Sequence, residues 1–350
     1  MRFRACCRPG LLLPALLLPA TLLAQQADSA PRRPARLFRA TDSVVMSLTA
    51  DFKTVLKDRD STSTKRYPAS LRFLGEKSDT VALDVQLGTR GHYRLRICSV
   101  PPLKVWFNRE QTRGTLFGGE GSLKLTPHCQ KSERYTQNIY VEYAVYAMYN
   151  LITPMSFRAR LATITWQDPK DPGFTVTRPG FWTEDDDAMA ARNRGKILMQ
   201  TGGHAEEMDA WQMAVTDVFQ YMIGNTDFSL SYLHNYRIVQ TDTSINFFPL
   251  AYDFDWSGLV DSPYARPDYR LPIKRVSDRF YRGGCHTPEM LARVVEHFKA
   301  KKAEIYGTLQ GIKGLDPKRL KQATEYLDEF FKMIDDPGAV KRELRRVCER

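Results

Sequence analysis

The chain has 350 residues, with 51 Lys and Arg against 40 Asp and Glu, a formal net charge of +11 and 43% hydrophobic residues. That apolar content is enough for one or two folded bodies with cores of their own, and with no repeat at a fixed period it excludes a solenoid or a low-complexity chain. The basic excess suits phosphates, acidic polysaccharide or an anionic membrane face, but the basic residues are scattered apart from Lys341 to Arg346 and no nucleic-acid motif is present. No nucleic-acid partner is expected.

The chain begins with Arg2, Arg4 and Arg8, continues through an apolar run from Leu11 to Leu23, and leaves it at Ala24 before Gln25 and Gln26. A basic start, a short apolar middle and a small exit residue read as a secretory signal peptide over residues 1–24. The run is short for a membrane span and is broken by Pro14 and Pro19, which leaves a retained anchor as the alternative. No Cys stands where a lipobox requires one. Cleavage removes three arginines, so +11 − 3 = +8 for the exported chain. Residues 25–41, rich in Ala, Pro and Arg, read as a flexible leader, and no later segment has the length and apolarity of a transmembrane helix.

Residues 42–180 read as a β-rich small lobe. Tyr67 to Leu74, Val81 to Leu87, His92 to Ile97 and Leu103 to Phe107 alternate or are rich in branched and aromatic residues, with glycines between them, as in an antiparallel sheet. Gly118, Gly119 and Gly121 precede Lys124 without the Walker pattern, so a plain hairpin turn is the simpler role. Tyr140 to Leu151 reads as a helix ended by Pro154, with Glu142 near its start. Phe157 to Trp166 reads as a strand, and Gln167 to Gly180, with three prolines, as a loop crossing to the second part.

Residues 181–350 read as a helical large lobe carrying one hairpin. Glu184 to Asp187 is an acidic helix start. Asp209 to Ile223 repeats apolar residues at helical spacing and ends at Gly224. Tyr236 to Val239 and Phe247 to Tyr252 are short strands around the polar turn Gln240 to Ser244. Trp256 to Pro272 is a loop, with Arg266 and Arg270 in it and Lys274 just beyond as solvated surface or an anion contact. Thr287 to Tyr306 and Pro317 to Ile334 are terminal helices. Of six cysteines, Cys6 and Cys7 leave with the signal peptide. In an oxidising compartment Cys98 with Cys129 and Cys285 with Cys348 are one of three open connectivities. The absence of any Cys-x-x-Cys pair argues against zinc.

Asp227, Asn235, Asp253 and Asp255 lie at the ends of these apolar runs. Singly, each is an ordinary turn or strand-end residue. Together they are oxygen ligands of the kind a hard cation prefers, and the hairpin brings Asn235 and Asp253 to one end. Their order, Asp, His-Asn, strand, strand, Asp-Phe-Asp, resembles the spore-coat CotH kinase-like family and, more distantly, HipA-type kinases. The resemblance extends upstream through the Arg-Gly turn in Leu87 to Arg96, Leu123-Lys124-Leu125, the helix at Tyr140 and Phe157 to Trp166, covering about residues 43–300 by order of motifs.

The resemblance implies an α+β, protein-kinase-like two-lobed fold. It implies ATP and Mg²⁺ (or Mn²⁺) as cofactors, Asp227 as the base or orienting carboxylate, and Asn235, Asp253 and Asp255 as metal ligands. Lys124 held by Glu142 would anchor the phosphates, with Lys104 the rival lysine. Asn235 lies eight positions after Asp227 (235 − 227), against five in most kinase-like enzymes, so a longer loop must fold back. The expected activity is γ-phosphoryl transfer from ATP to a protein hydroxyl by an exported protein. A non-catalytic interaction protein with an envelope or surface partner is the alternative, and a carboxylate-based glycan hydrolase is a third reading.

Overall fold

Seven strands, β1 (Val44–Ala50), β2 (Tyr67–Leu74), β3 (Thr80–Thr89), β4 (Leu103–Phe107), β5 (Ser122–Pro127), β6 (Ala159–Asp168) and β7 (Asp171–Thr183), close into a barrel in the order β1-β2-β3-β4-β5-β7-β6. The structure, a computed structural model, describes residues 33–75, 78–199, 201–203, 205–345 and 348. The signal peptide read over 1–24 therefore lies outside the described residues. Within the range read as leader, Arg36–Arg39 forms a turn of 3-10 helix whose Leu37 and Phe38 are buried in the barrel's core.

Alternation builds that core. Every second residue of β1 and β4 turns inward, so Met46, Leu48, Leu103 and Val105 meet Phe117, Trp166 and Trp182 inside the barrel. Two short helices, α1 (Phe52–Val55) and α2 (Tyr93–Ile97), leave the barrel wall. The second half is built on α3 (Glu133–Ile152), α4 (Asp186–Arg192), α5 (Ala210–Ile223), α6 (Pro288–Ala300), α7 (Lys302–Gln310), α8 (Pro317–Ile334) and α9 (Pro337–Leu344). A three-stranded sheet, β8 (Gly195–Leu198), β9 (Tyr236–Thr241) and β10 (Phe247–Ala251), lies beside them in the order β10-β9-β8. A single cluster running from Val141 and Met148 on α3 through Val218 and Phe219 on α5 to Phe298 and Phe331 holds these helices together.

The expected two-lobed kinase-like fold is not what forms. The strand-rich half is a closed barrel, because β6 and β7 arrive after α3 and cover both free edges of the sheet: β6 pairs parallel with β1, Val44 opposite Ala162, and β7 pairs with β5, Lys124 opposite Thr183. Closure removes edges that would otherwise invite pairing with another chain. The stretch read as a proline-rich crossing loop is most of β7. Its Thr175-Val176-Thr177 run pairs with β6, and Pro179, opposite Thr163, is accommodated. The strand expected at His92 to Ile97 is the helix α2, since Gly91, at φ +92°, turns the chain out of β3.

Both disulfides of the expected pairing are present, Cys98–Cys129 and Cys285–Cys348. The first ties the end of α2 to the approach to α3, reinforced by Ser99 N–H donating to the Cys129 carbonyl at 2.8 Å. No helix among the described residues is long and apolar enough to cross a membrane.

Candidate active site

Helix α5 begins at Asp209, whose carboxylate caps Gln212 N–H, and ends at Gly224 in the left-handed region (φ +64°). The tail of the helix is stitched to the segment after Asp255 by Gly258 N–H to the Gly224 carbonyl (3.1 Å) and Leu259 N–H to the Ile223 carbonyl (3.0 Å). A Cβ on Gly224 or Gly258 would lie 1.9 or 2.4 Å from the Tyr326 hydroxyl of α8, so both positions require glycine. The loop that follows carries Asp227.

The three residues by which this loop exceeds the usual spacing are absorbed in a small closed turn. Ser229 and His234 exchange both backbone hydrogen bonds (3.0 and 2.9 Å), and Leu233 and Asn235 take left-handed conformations at φ +51° and +54°. The amide of Asn235 thereby returns to Asp227, donating from Nδ2 to its carbonyl (2.8 Å) and its Oδ2 (3.1 Å). His234 Nε2 lies 3.0 Å from Asp227 Oδ1, and that contact, with the Asp227 charge, raises the imidazole pKa. Asn is among the few residues that tolerate this backbone region, and strain of this kind collects at functional sites.

The hairpin β9–β10 pairs Ala251 opposite Tyr236 and continues with Tyr252 N–H to the Asn235 carbonyl at 3.0 Å. Asp253 follows, also left-handed (φ +62°), its N–H donated to the Tyr146 hydroxyl of α3 at 3.0 Å. Arg94, buried on α2, is the hub of the cluster. Its Nη2 reaches Glu142 Oε1 at 2.6 Å and lies 3.6 Å from Asp253, and its Nε reaches Asp255 Oδ2 at 2.7 Å. The Tyr264 hydroxyl also donates to Asp255 Oδ2, at 2.8 Å.

One guanidinium thus faces three carboxyls. Burial pushes Glu142 up to about 8 despite Arg94. Asp253 rises to about 6 by desolvation and then by the Asp255 charge; with 48% of its side chain open, the repulsion is the cause its exposure leaves best supported. Asp255 is held low against its own desolvation by Arg94 and the Tyr264 hydroxyl. Arg94 is therefore neutralised chiefly by Asp255, while Glu142 and Asp253 are the carboxyls that more readily keep a proton.

Lys124 and Glu142, expected as a pair, are not brought together. Lys124 is paired with Asp186 at the start of α4, and Arg237 Nε joins the same carboxylate at 2.9 Å. Burial lowers the lysine pKa despite Asp186. Arg94 has taken Glu142. Lys104, the rival, stands opposite Lys124 on β4 with its ammonium 5.5 Å from the Trp106 ring. Arg94, Asp186, Arg237, Tyr146, Tyr264 and His234 are the contributors that sequence reasoning missed. The acidic run at Glu184 to Asp187 and the Arg94 in the Tyr-Arg-Leu-Arg segment were visible there, but nothing in their spacing points to these partners.

Among the described residues no group of three or more His, Cys, Asp or Glu is arranged to hold a metal ion. The donor set fits a divalent cation that also uses ligand oxygens: Asn235 has its Nδ2 engaged by Asp227 and its Oδ1 left as acceptor, and Asp253 is the most open carboxyl of the trio. Asp255 fits less well, because its Oδ2 accepts from both Arg94 and Tyr264. A cavity of about 1090 Å³ lies elsewhere, against α8 and α9, and contains none of these residues.

The glycine-rich loop before β5 holds a separate strained carboxyl. Glu120 is buried, its Oε1 has no hydrogen-bond partner among the described residues, and desolvation followed by the Asp185 and Glu184 charges raises it from 4.5 to about 7. A carboxyl whose pKa rises on folding lends its full stability below pH 4.5 and loses it as pH climbs to 7, by roughly 3 kcal/mol. Glu120→Gln is expected to melt with the parent at pH 4.5 and well above it at pH 8. Thermal melts showing the same offset at both pH values would count against this.

No family model matches the chain, and no curated protein matches it either. Among solved structures it is similar to the crystal structure of the Golgi casein kinase, at 9% identity over 86% of this chain and 74% of that one, with a TM-score of 0.33. Likeness at that level assigns neither fold nor activity.

Proposed function

We propose that this protein is an exported phosphotransferase that moves the γ-phosphoryl group of ATP to a hydroxyl of a protein. The reading keeps the activity implied by the CotH-like motif order and not the two-lobed architecture. Its main support is the loop that folds back to set Asn235 against Asp227 while the hairpin brings Asp253 to the same end. Export is supported by the two disulfides, which belong to an oxidising compartment.

Asn235 Oδ1 and Asp253 would hold the divalent cation, which supplies charge neutralisation for the transferring phosphoryl group when bound. Asp227, oriented by His234 and Asn235, accepts the proton of the attacking hydroxyl at a carboxylate oxygen. Arg94, held by Glu142 and Asp255, stands 3.6 Å from Asp253, and Lys124 stands at the barrel side with Asp186. Asp227→Asn is expected to bind Mg²⁺-ATP with an affinity within about threefold of the parent's and to lose transfer by a factor on the order of 100 or more. Equal loss of binding and transfer would show that Asp227 serves the nucleotide instead.

A second reading, a non-catalytic interaction protein, is favoured by one observation: Glu142 is bound by Arg94 and Lys124 by Asp186, so the expected lysine–glutamate pair does not form. Calorimetry with ATP and either Mg²⁺ or Mn²⁺ separates the two. No affinity with either metal selects the interaction protein.

A further inference from the structure

The outer wall of the barrel carries chemistry of its own. Leu103, Val105 and Phe107 of β4 turn into the core, so Lys104 and Trp106 face outward, with Trp106 opposite Gln86 of β3 and Gln86 opposite Pro68 of β2. A cavity of about 650 Å³ lies over this row, and Arg66, Asp84, Gln86, Trp106, Asn108 and Arg109 are among its lining. The indole sits against bare backbone, since a Cβ on Gly88 would come 2.9 Å from its ring. Arg66 lies over it, guanidinium carbon 4.5 Å from the ring centroid, and the Lys104 ammonium stands 5.5 Å from the same centroid. Stacking of this kind holds a guanidinium flat and turns its N–H groups outward in the plane. Arg109 is likewise seated along backbone. A Cβ on Gly121 would meet its Nη2 at 3.0 Å, and Gly121 is fixed by accepting Phe107 N–H at 3.0 Å. Among the described residues neither guanidinium makes a hydrogen bond or ion pair, and the side-chain amides of Gln86 and Asn108 donate no hydrogen bond. Asp84, the only carboxylate of that lining, is already engaged by Gln111 Nε2 at 3.0 Å.

We infer that this wall of the barrel binds an acidic polysaccharide, with uronate carboxylates on Arg66 and Arg109 and sugar hydroxyls on the amides of Gln86 and Asn108. Two seated guanidinium forks in one concavity match planar carboxylates, each of which takes two parallel N–H donors, and the free amides suit a ligand dense in hydroxyls. A peptide held by its main chain needs a free strand edge, and the closed barrel offers none. A nucleic-acid base would stack on the indole where Arg66 already lies. The role is independent of phosphoryl transfer, since no member of the Asp227, Asn235, Asp253 and Asp255 set lines this cavity.

The test is calorimetry on the purified protein with polygalacturonate, neutral dextran, polyglutamate and single-stranded DNA, repeated for Arg66→Ala, Arg109→Ala and the double variant. Lys313→Ala, an exposed charge in the helical half, is the control. The parent is expected to bind polygalacturonate and not dextran. Each single variant should weaken polygalacturonate by about fivefold or more and the double variant by about 30-fold, while Lys313→Ala stays within about twofold of the parent. Neither arginine side chain holds another residue by a hydrogen bond or ion pair, so both single variants should melt within about 3 °C of the parent. A double variant that binds polygalacturonate as tightly as the parent overturns the site. A Lys313→Ala that loses as much as the arginine variants shows a diffuse basic surface and overturns it too. A parent that takes polyglutamate or DNA through these arginines but has no affinity for polygalacturonate overturns the polysaccharide assignment.

Discussion

Asp253→Ala is expected to abolish Mg²⁺-dependent ATP binding, weakening it by on the order of 100-fold or more, while the protein stays folded. Asp253 is the accessible carboxyl of a trio in which Asp255 already answers Arg94, so it carries the charge a bound cation would relieve. Its raised pKa fixes the sign of the effect on stability. A carboxyl lifted from 3.8 to about 6 on folding contributes stability below pH 3.8 that is lost as pH rises through 6, so at pH 7 its ionised form is a cost that alanine removes. Calorimetry with and without Mg²⁺ reads the binding and a thermal melt reads the fold. Unchanged metal-dependent binding would end the assignment, and a collapse of the melt would mean that Asp253 is structural.

Replacing the hub has the opposite signature. Arg94→Met is expected to destabilise the protein by about 3–5 kcal/mol at pH 7–8, because it leaves Asp255 buried without its cation and Glu142 without its hydrogen-bond donor. The deficit should shrink as pH falls and those carboxyls take up protons. Adding Glu142→Gln and Asp255→Asn should recover most of it. Urea unfolding at pH 5 and pH 8 makes the comparison, and a deficit independent of pH would point to lost packing and not to charge.

Much of the local structure was legible in the sequence because it is local. Asp209 and Gly224 bound α5 as its periodicity requires, Thr287 caps α6 through Met290 N–H, and the hairpin carrying Asn235 and Asp253 follows from two short apolar runs around a polar turn. Barrel closure was not legible. It depends on pairing β1 with β6, and a strand shows its face pattern but not its partner. The prolines of β7 argued for a loop, and only the pairing with β5 and β6 overrides them. The exchange of charge partners was equally hidden, since Arg94 meets Glu142 and Asp255 across 48 and 161 residues of chain and buried ion pairs have no sequence period.

The parallel pairing of β1 with β6 has a consequence for how the protein comes into being. Val44 must wait for Ala162, which follows it by 118 positions (162 − 44), so the first strand made stays an open edge until nearly half of the chain has emerged. Contacts between such distant segments form late and slowly, because the ends of a long loop must meet before any bond rewards them. During that interval the edge of β1 is open to neighbouring chains. Arg94 and Glu142 both lie inside the same interval, but Asp255, the carboxylate that chiefly neutralises Arg94, arrives only with the second half, so a compact state built from the first half alone lacks one side of the charge cluster.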